Sequence, residues 1–179
     1  MENIIIENKY LKAELSTWGA TLVSLITKDK NGNDTDVCLG YDSTDGYKNG
    51  NAFFGATIGR VANRIGNAQF SLNGEKFTLV PNESKNVLHG GKNGYDQRLW
   101  QVSKNAESAV FSLVSPDGDQ GFPGEMKIEV TYALEENALE ITYRAKSDKD
   151  TPISLTNHSY FNLAGHGSGT VYDHTLTLF

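Results

Sequence analysis

A histidine surrounded by hydrogen-bonding side chains lies late in the sequence. Residues 156–165 read Thr-Asn-His-Ser-Tyr-Phe-Asn-Leu-Ala-Gly, after an apolar alternation at Ile153 and Leu155 that is typical of a strand. A histidine at the end of a strand is well placed to donate a proton to a ligand. His158 is therefore a candidate general acid. A buried histidine whose hydrogen bonds are satisfied is the alternative, and these residues alone leave both open.

The other three histidines have different surroundings. His89 lies in the loop Leu-His-Gly-Gly at 88–91, where glycine permits close approach to a ligand, although a surface-loop histidine would also explain it. His166 and His174 have no supporting groups and are assigned structural positions. The last three histidines are eight residues apart each time. Paired zinc ligands are typically separated by roughly two to five residues, so we expect no metal site.

Two arginines lie four residues apart in an otherwise apolar segment, Arg60 and Arg64. A guanidinium there could donate two hydrogen bonds to a polar ligand such as sugar hydroxyls, or it could donate to the carbonyls of loops and hold them in place. Arg64 is the better ligand candidate because Asn63 stands beside it. The segment Gly-Ala-Thr-Ile-Gly at 55–59 is not a phosphate loop, since no Lys-Ser/Thr pair follows it.

Alternating apolar and polar residues predict β-strands along most of the chain. Asn31-Gly32 and Asn73-Gly74 predict hairpin turns, and one short helix is expected at 43–47 with Ser43 as its cap. The predicted strands are at 3–7, 9–16, 20–28, 37–39, 69–80 (a hairpin), 100–103, 109–114, 126–134, 139–143 and 174–179. The predicted class is all-β, an antiparallel sandwich or barrel.

Bulk properties narrow the possible functions. The 179 residues suffice for one domain, and the net charge of -6 without a Lys/Arg cluster argues against nucleic-acid binding. The single cysteine, Cys38, rules out an internal disulfide framework. The sequence shows no signal peptide and no apolar run of membrane-spanning length. We therefore expect a cytoplasmic protein without a membrane partner.

Five segments, in order, resemble the aldose 1-epimerases, also called galactose mutarotases. The segments are GATIGRVANRI at 55–65, LHGG at 88–91, GYDQRLW at 94–100, SPDGDQGFPG at 115–124 and LTNHSYFNLAG at 155–165. The resemblance implies a large antiparallel β-supersandwich that needs neither a metal nor an organic cofactor. Residues 1–179 would then be the N-terminal part of one such domain.

The resemblance also implies a reaction. Family members interconvert the α and β anomers of hexoses such as galactose and glucose by opening and reclosing the sugar ring. This requires an acid at the ring oxygen and a base at the anomeric hydroxyl. By motif, His158 matches the proton donor, and His89, Asn63 and Arg64 match substrate-binding positions. His89 is also a candidate to help polarise the ring oxygen, and Tyr160 to line the site.

The sequence departs from the family pattern in one respect. Family members are about twice as long, and both their glutamate base and a sugar-binding aspartate fall beyond residue 179. The acidic residues in the matching regions are Glu83, Asp96, Asp117 and Asp119, none at the family's base position. We therefore expect the acid half of the mechanism without the base half. A last strand at 174–179 would leave an unpaired sheet edge, so self-association or a missing C-terminal half is also expected.

Other functions are compatible with these residues. A non-catalytic carbohydrate-binding β-sandwich would keep the sugar site and lack the base. A structural fragment would bind nothing. A hexose-6-phosphate epimerase would require more cationic residues around the site than the sequence offers. In each binding hypothesis the partner is a small hexose.

Overall fold

Antiparallel strands form almost all regular structure in the computed structural model, which describes residues 1–178. The predicted all-β antiparallel class is confirmed: every ladder between strands in the described residues is antiparallel. Two four-stranded sheets are accompanied by three two-stranded ladders. Within these residues, no helix has the length and apolar character needed to cross a membrane.

The first sheet comes from the N-terminal third of the chain. It has the order β1-β2-β3-β4, formed by β1 (Asn3–Glu7), β2 (Lys12–Ser16), β3 (Thr21–Lys28) and β4 (Asp34–Asp36). The strand predicted at 37–39 is wrong, because β4 ends at Asp36. That side chain accepts the N–H groups of Leu25 and Cys38, each at 3.0 Å, and residues 37–39 form only an isolated bridge, Cys38 with Phe161.

The second sheet comes from the middle of the chain. It has the order β10-β11-β12-β13, formed by β10 (Gln101–Lys104), β11 (Ser108–Ser115), β12 (Met126–Glu135) and β13 (Ala138–Ser147). The predicted alternation on β12 is confirmed, with Ile128, Val130 and Tyr132 buried while Lys127 and Glu129 are exposed. Burial of one face fixes the register of β12, since a one-residue slip would expose that face.

One apolar core joins the two sheets. Ile6, Leu15 and Leu22 of the first sheet belong to the same buried cluster as Phe111 and Val130 of the second. The sheets therefore share their inner faces, as in a sandwich.

The short ladders lie in the middle and at the end of the chain. They pair β5 (Thr57–Ile58) with β14 (Thr156–Asn157), β6 (Arg64–Ile65) with β9 (Val87–Leu88), and β7 (Gln69–Leu72) with β8 (Glu75–Thr78). The predicted hairpin at 69–80 is confirmed. Asn73 and Gly74 form its turn, with φ of 52° and 82°, as a primed turn requires.

Two predictions about the ends of elements are wrong. The helix α1 (Thr44–Asn49) follows Ser43, but the Ser43 side chain makes no capping hydrogen bond; its carbonyl instead accepts the Gly46 N–H at 3.1 Å. Residues 174–178 form no strand, and Leu176 and Leu178 are exposed, because no described strand offers them a ladder. Phe179, the last residue of that predicted strand, lies outside the described residues.

A buried tyrosine connects the core to β14. The Tyr132 hydroxyl donates to the Ala20 carbonyl at 2.7 Å and accepts from Asn157 Nδ2 at 3.0 Å. Burial raises the pKa of Tyr132, so the hydroxyl stays protonated and remains a donor. Asn157 Nδ2 also donates to the Gly55 carbonyl at 2.8 Å. These bonds hold the residue that precedes His158 against the core.

We expect Tyr132→Phe to lower the free energy of unfolding by about 1–3 kcal/mol. The Ala20 carbonyl would keep only the longer bond from Thr57 Oγ1, at 3.2 Å, and Asn157 Nδ2 would lose the hydroxyl as an acceptor. Tyr143→Phe is the matched control: its hydroxyl is buried and has no hydrogen-bond partner among residues 1–178. That substitution removes a buried hydroxyl that makes no hydrogen bond, so stability should stay the same or rise. Urea unfolding of both variants measures the difference, and equal losses would contradict the expectation.

Candidate functional site

The short ladder β5–β14 positions His158. Thr156 pairs with Ile58 and Asn157 with Thr57, so the chain leaves β14 directly at the histidine. The His158 N–H donates to the Ala56 carbonyl at 2.9 Å, and its carbonyl accepts from the Gly55 N–H at 3.2 Å. The backbone of His158 is therefore fixed on both sides. The strand pattern through Ile153 and Leu155 is wrong in extent, because before β14 only an isolated bridge between Ser154 and Val61 forms there.

His89 is positioned by the second short ladder, β6–β9. Arg64 pairs with Leu88, and the His89 N–H donates to the Asn63 carbonyl at 2.9 Å. In return, the Asn63 N–H donates to His89 Nδ1 at 3.0 Å. A ring nitrogen that accepts a hydrogen bond carries no proton, so neutral His89 has its proton on Nε2. The backbone therefore sets the tautomer of His89.

The two histidine rings meet almost perpendicularly. Their centroids are 5.1 Å apart, with an angle of 84° between the ring planes. The ring centroid of Tyr160 lies 5.1 Å from that of His158. The ring centroid of Phe53 lies 4.9 Å from that of His89 and 5.5 Å from that of His158. Three predicted residues, His89, His158 and Tyr160, thus come together beside an aromatic wall.

Phe53 is a site residue that the sequence did not single out. Its ring packs against both histidine rings, and it has φ of 56°, an uncommon conformation for a bulky residue. Its position two residues before the 55–65 segment was the only signal in the sequence.

Electrostatics distinguish His89 as the neutral ring. Burial lowers the pKa of His89 from its ordinary 6.5, and the nearby charges of His158 and Arg64 lower it further, while Glu83 opposes them. The Asn63 N–H also favours the neutral ring, since the bond that it donates requires an unprotonated Nδ1. His89 is therefore a neutral hydrogen-bond donor at pH 7.

We expect His89 to titrate below 6.5 in an NMR pH titration. Because a lowered pKa means that the unfolded chain binds the proton more readily, this residue's contribution to stability is full above about 6.5 and falls as the pH drops through the folded-state pKa. His158→Ala should move the titration of His89 upward by removing a neighbouring positive charge. The Asn63 amide resonance reports the same transition. A pKa of 6.5 or above for His89 would contradict the proposal that the Asn63 N–H holds this ring in one neutral tautomer.

Arg64 and Asn63 lie beside His89. The Arg64 guanidinium forms two parallel bonds with Glu83, from Nε to Oε2 at 2.6 Å and from Nη2 to Oε1 at 2.6 Å. Its Nη1 approaches Asn63 Oδ1 at 3.3 Å. Glu83 is thus a second residue of the site whose role the sequence did not indicate.

Arg60 has the other role that the sequence allowed for these arginines. It is 2% exposed, and its Nη1 donates to the Pro123 carbonyl at 2.7 Å and to Thr151 Oγ1 at 3.0 Å. Its Nη2 donates to Ser115 Oγ at 2.8 Å. Arg60 therefore ties loops together, whereas Arg64 is exposed beside the histidines.

The four acidic residues of the matching regions all have partners. The pairs are Glu83 with Arg64, Asp96 with Gln97, Asp117 with Lys149 and Asp119 with Arg98. Asp96 is buried, and burial raises its pKa. Three of the four are therefore held in ion pairs, whereas Asp96 accepts a hydrogen bond from the neutral Gln97 amide at 2.9 Å.

His166 and His174 lie outside this pair. His166 Nδ1 is 3.1 Å from the Cys38 carbonyl, and His174 Nε2 accepts the Leu163 N–H at 3.0 Å. Both bind the backbone of loops. Residues 1–178 contain no group of three or more histidine, cysteine or acidic side chains that could hold a metal ion.

Comparison with known proteins relates the chain to one family. A family profile described as Aldose 1-epimerase matches residues 2–179. The chain is 44% identical to a galactose mutarotase of Bos taurus over 178 residues, covering 99% of this chain and 52% of the relative. It is 44% identical to an aldose 1-epimerase of Escherichia coli over 173 residues, covering 96% of this chain and 50% of the relative.

The structural comparison agrees. A crystal structure of an aldose epimerase homologue from C. elegans superposes with a TM-score of 0.86 at 43% identity, covering 90% of this chain and 50% of that one. The galactose mutarotase-like fold expected from the sequence is thereby confirmed. The chain spans about half the length of the curated relatives it matches.

Proposed function

Because the chain belongs to the aldose 1-epimerase family, we propose that its histidine pair supplies the acid side of hexose anomer interconversion. The observation that carries this proposal is the Asn63 N–H bond to His89 Nδ1 at 3.0 Å. It makes His89 a neutral donor and leaves the facing ring, His158, as the group that lends its proton to the ring oxygen.

In the proposed reaction, protonated His158 donates to the ring oxygen of the pyranose. The C1–O bond to that oxygen breaks with its electron pair going to the ring oxygen, while a base removes the anomeric hydroxyl proton and the O–H electrons form the aldehyde C=O. After rotation about C1–C2, reclosure on the other carbonyl face returns the ring-oxygen proton to His158 and the base's proton to the new anomeric hydroxyl. His89 Nε2–H steadies the negative charge that develops on the ring oxygen. Each such proton-transferring group typically contributes roughly 10²–10⁴-fold.

Substrate contacts in this proposal come from the residues around the rings. Arg64 and Asn63 offer hydrogen bonds to sugar hydroxyls, and the aromatic side chains Phe53 and Tyr160 offer apolar faces to the sugar's C–H groups. Hexoses such as galactose and glucose fit this mixture of polar and apolar contacts.

The proposed base is a carboxylate from outside residues 1–178. Support comes from the four acidic residues near the matching segments: three are held in ion pairs, and the fourth, Asp96, is buried and bonded to Gln97. The same observation favours the second candidate function, carbohydrate binding without catalysis.

We also propose a cytoplasmic location, since the single cysteine is compatible with a reducing compartment.

Polarimetry with freshly dissolved α-galactose, together with calorimetry, tests the proposal. Acceleration over buffer identifies an epimerase. Added formate provides a base from solution, so a rate that rises more steeply with formate when the protein is present would indicate an acid site lacking its own base. Sugar binding without acceleration under either condition would select the binding function. Neither binding nor acceleration would overturn both.

A further inference from the structure

Glu83 occupies one edge of the Arg64 guanidinium. An arginine has five N–H groups, and the two parallel bonds at 2.6 Å use Nε–H and one hydrogen of Nη2. Asn63 Oδ1 approaches Nη1 at 3.3 Å. The remaining N–H groups lie on the end of the fork opposite Glu83. The carboxylate thus fixes the direction in which Arg64 can donate.

Backbone and amide bonds hold Glu83 in place for this contact. Its N–H donates to the Asn86 carbonyl at 3.1 Å, and the Asn86 N–H donates back to the Glu83 carbonyl at 2.9 Å. The Asn82 side chain brackets Leu88, accepting its N–H at 2.7 Å and donating to its carbonyl at 3.0 Å. The loop that carries Glu83 is therefore attached to β9, the strand that ends immediately before His89.

The pair also has no net charge. Hydrogen bonding to Arg64 lowers the pKa of Glu83, and the carboxylate raises the pKa of Arg64, so both stay ionised together. Arg64 and Glu83 act on His89 in opposite directions, which places both charges within reach of the ring pair. An unpaired arginine at this position would be a ready phosphate ligand.

We propose that Glu83 is a positioning and specificity-determining residue, which aims Arg64 at neutral sugar hydroxyls and cancels the charge that would attract phosphorylated sugars. The part of this inference that concerns sugar hydroxyls rests on the proposed function. The effect of Glu83 on anion binding does not. Glu83 acts through Arg64 and transfers no proton itself.

Glu83→Gln tests the proposal, because it keeps the side chain's size and removes its charge. The probes are inorganic phosphate, galactose 6-phosphate and galactose, titrated at low ionic strength by calorimetry and by NMR of the Arg64 and His89 side chains. We expect affinity for both phosphates to rise by roughly tenfold and galactose affinity to fall, with the gain lost at high salt. The titration of His89 should also move to lower pH.

Glu75→Gln is the matched control, since Glu75 is an exposed glutamate of β8 with no ion pair among residues 1–178. It should alter phosphate affinity by less than about twofold, the scale of a screened surface charge. Glu83→Asp keeps the charge and should retain the preference for the neutral sugar. Amide spectra check that each variant is folded.

Two outcomes separate the inference from the proposed function. If folded Glu83→Gln binds both phosphates no better than the unsubstituted protein and His89 titrates unchanged, the role of Glu83 is overturned even where galactose binds. If phosphate affinity rises but the unsubstituted protein neither binds nor interconverts galactose, the charge cancellation stands and the sugar function fails.

Discussion

Replacement of His158 by alanine is expected to lower the protein-dependent rate of α-galactose mutarotation by roughly 10²- to 10⁴-fold, the usual contribution of a positioned acid. His89 should not compensate, because its Nδ1 already accepts the Asn63 N–H and burial lowers its pKa. Polarimetry at saturating and at low sugar concentrations separates an effect on the chemical step from an effect on sugar binding. The loss should appear mainly in kcat, since Arg64 and Asn63 remain to bind the sugar.

His174→Ala provides the control for this substitution. His174 is an exposed histidine whose Nε2 accepts the Leu163 N–H, away from the ring pair. Its removal should leave the rate within about twofold, the usual effect of a surface substitution. Equal rates for His158→Ala and the unsubstituted protein would show that another group is the acid.

The second large effect is expected for Gly90→Ala. Gly90 has φ of 87°, and a methyl group there would stand 1.9 Å from the Gly59 carbonyl oxygen and 2.7 Å from the Arg60 nitrogen. These are backbone atoms, so the chain itself must move. We expect the free energy of unfolding to fall by about 2–4 kcal/mol from the positive φ and the overlap together. His89, the preceding residue, should lose its fixed contact with Asn63.

Gly74→Ala separates the two causes. Gly74 has nearly the same φ, 82°, but no atom lies within 4 Å of the position its methyl group would take. It should therefore show only the conformational cost, about 1–2 kcal/mol. Denaturant unfolding gives both stabilities, and the His89 ring resonances report the local displacement. If both variants lost the same stability, the close approach of Gly90 to Gly59 would carry no energetic weight.

Much of the fold could be predicted from local patterns. The alternation on β12 and the Asn73-Gly74 turn specify a buried face and a primed hairpin, and both are present. The failures occur where tertiary contacts override the pattern. Asp36 ends β4 by accepting two N–H groups, and residues 174–178 alternate but have no partner strand among the described residues.

The candidate site could be predicted only in part. Motif resemblance pointed to His158, His89 and Arg64, which the structure brings into one region. Glu83 could not be found this way, because its contact joins residues 19 positions apart, Arg64 in β6 and Glu83 in the loop before β9. Phe53 reaches the rings through a positive φ, which the sequence of a bulky residue gives no reason to expect.

The bond from Asn63 to His89 has a consequence for how the family's members can diverge. The donor is a main-chain N–H, which every residue except proline possesses. Exchange of the Asn63 side chain therefore leaves the donor in place, provided that the new residue tolerates its φ of 61°. Side-chain changes at this position can therefore alter the proposed sugar contact, while the main-chain N–H still keeps the His89 proton on Nε2.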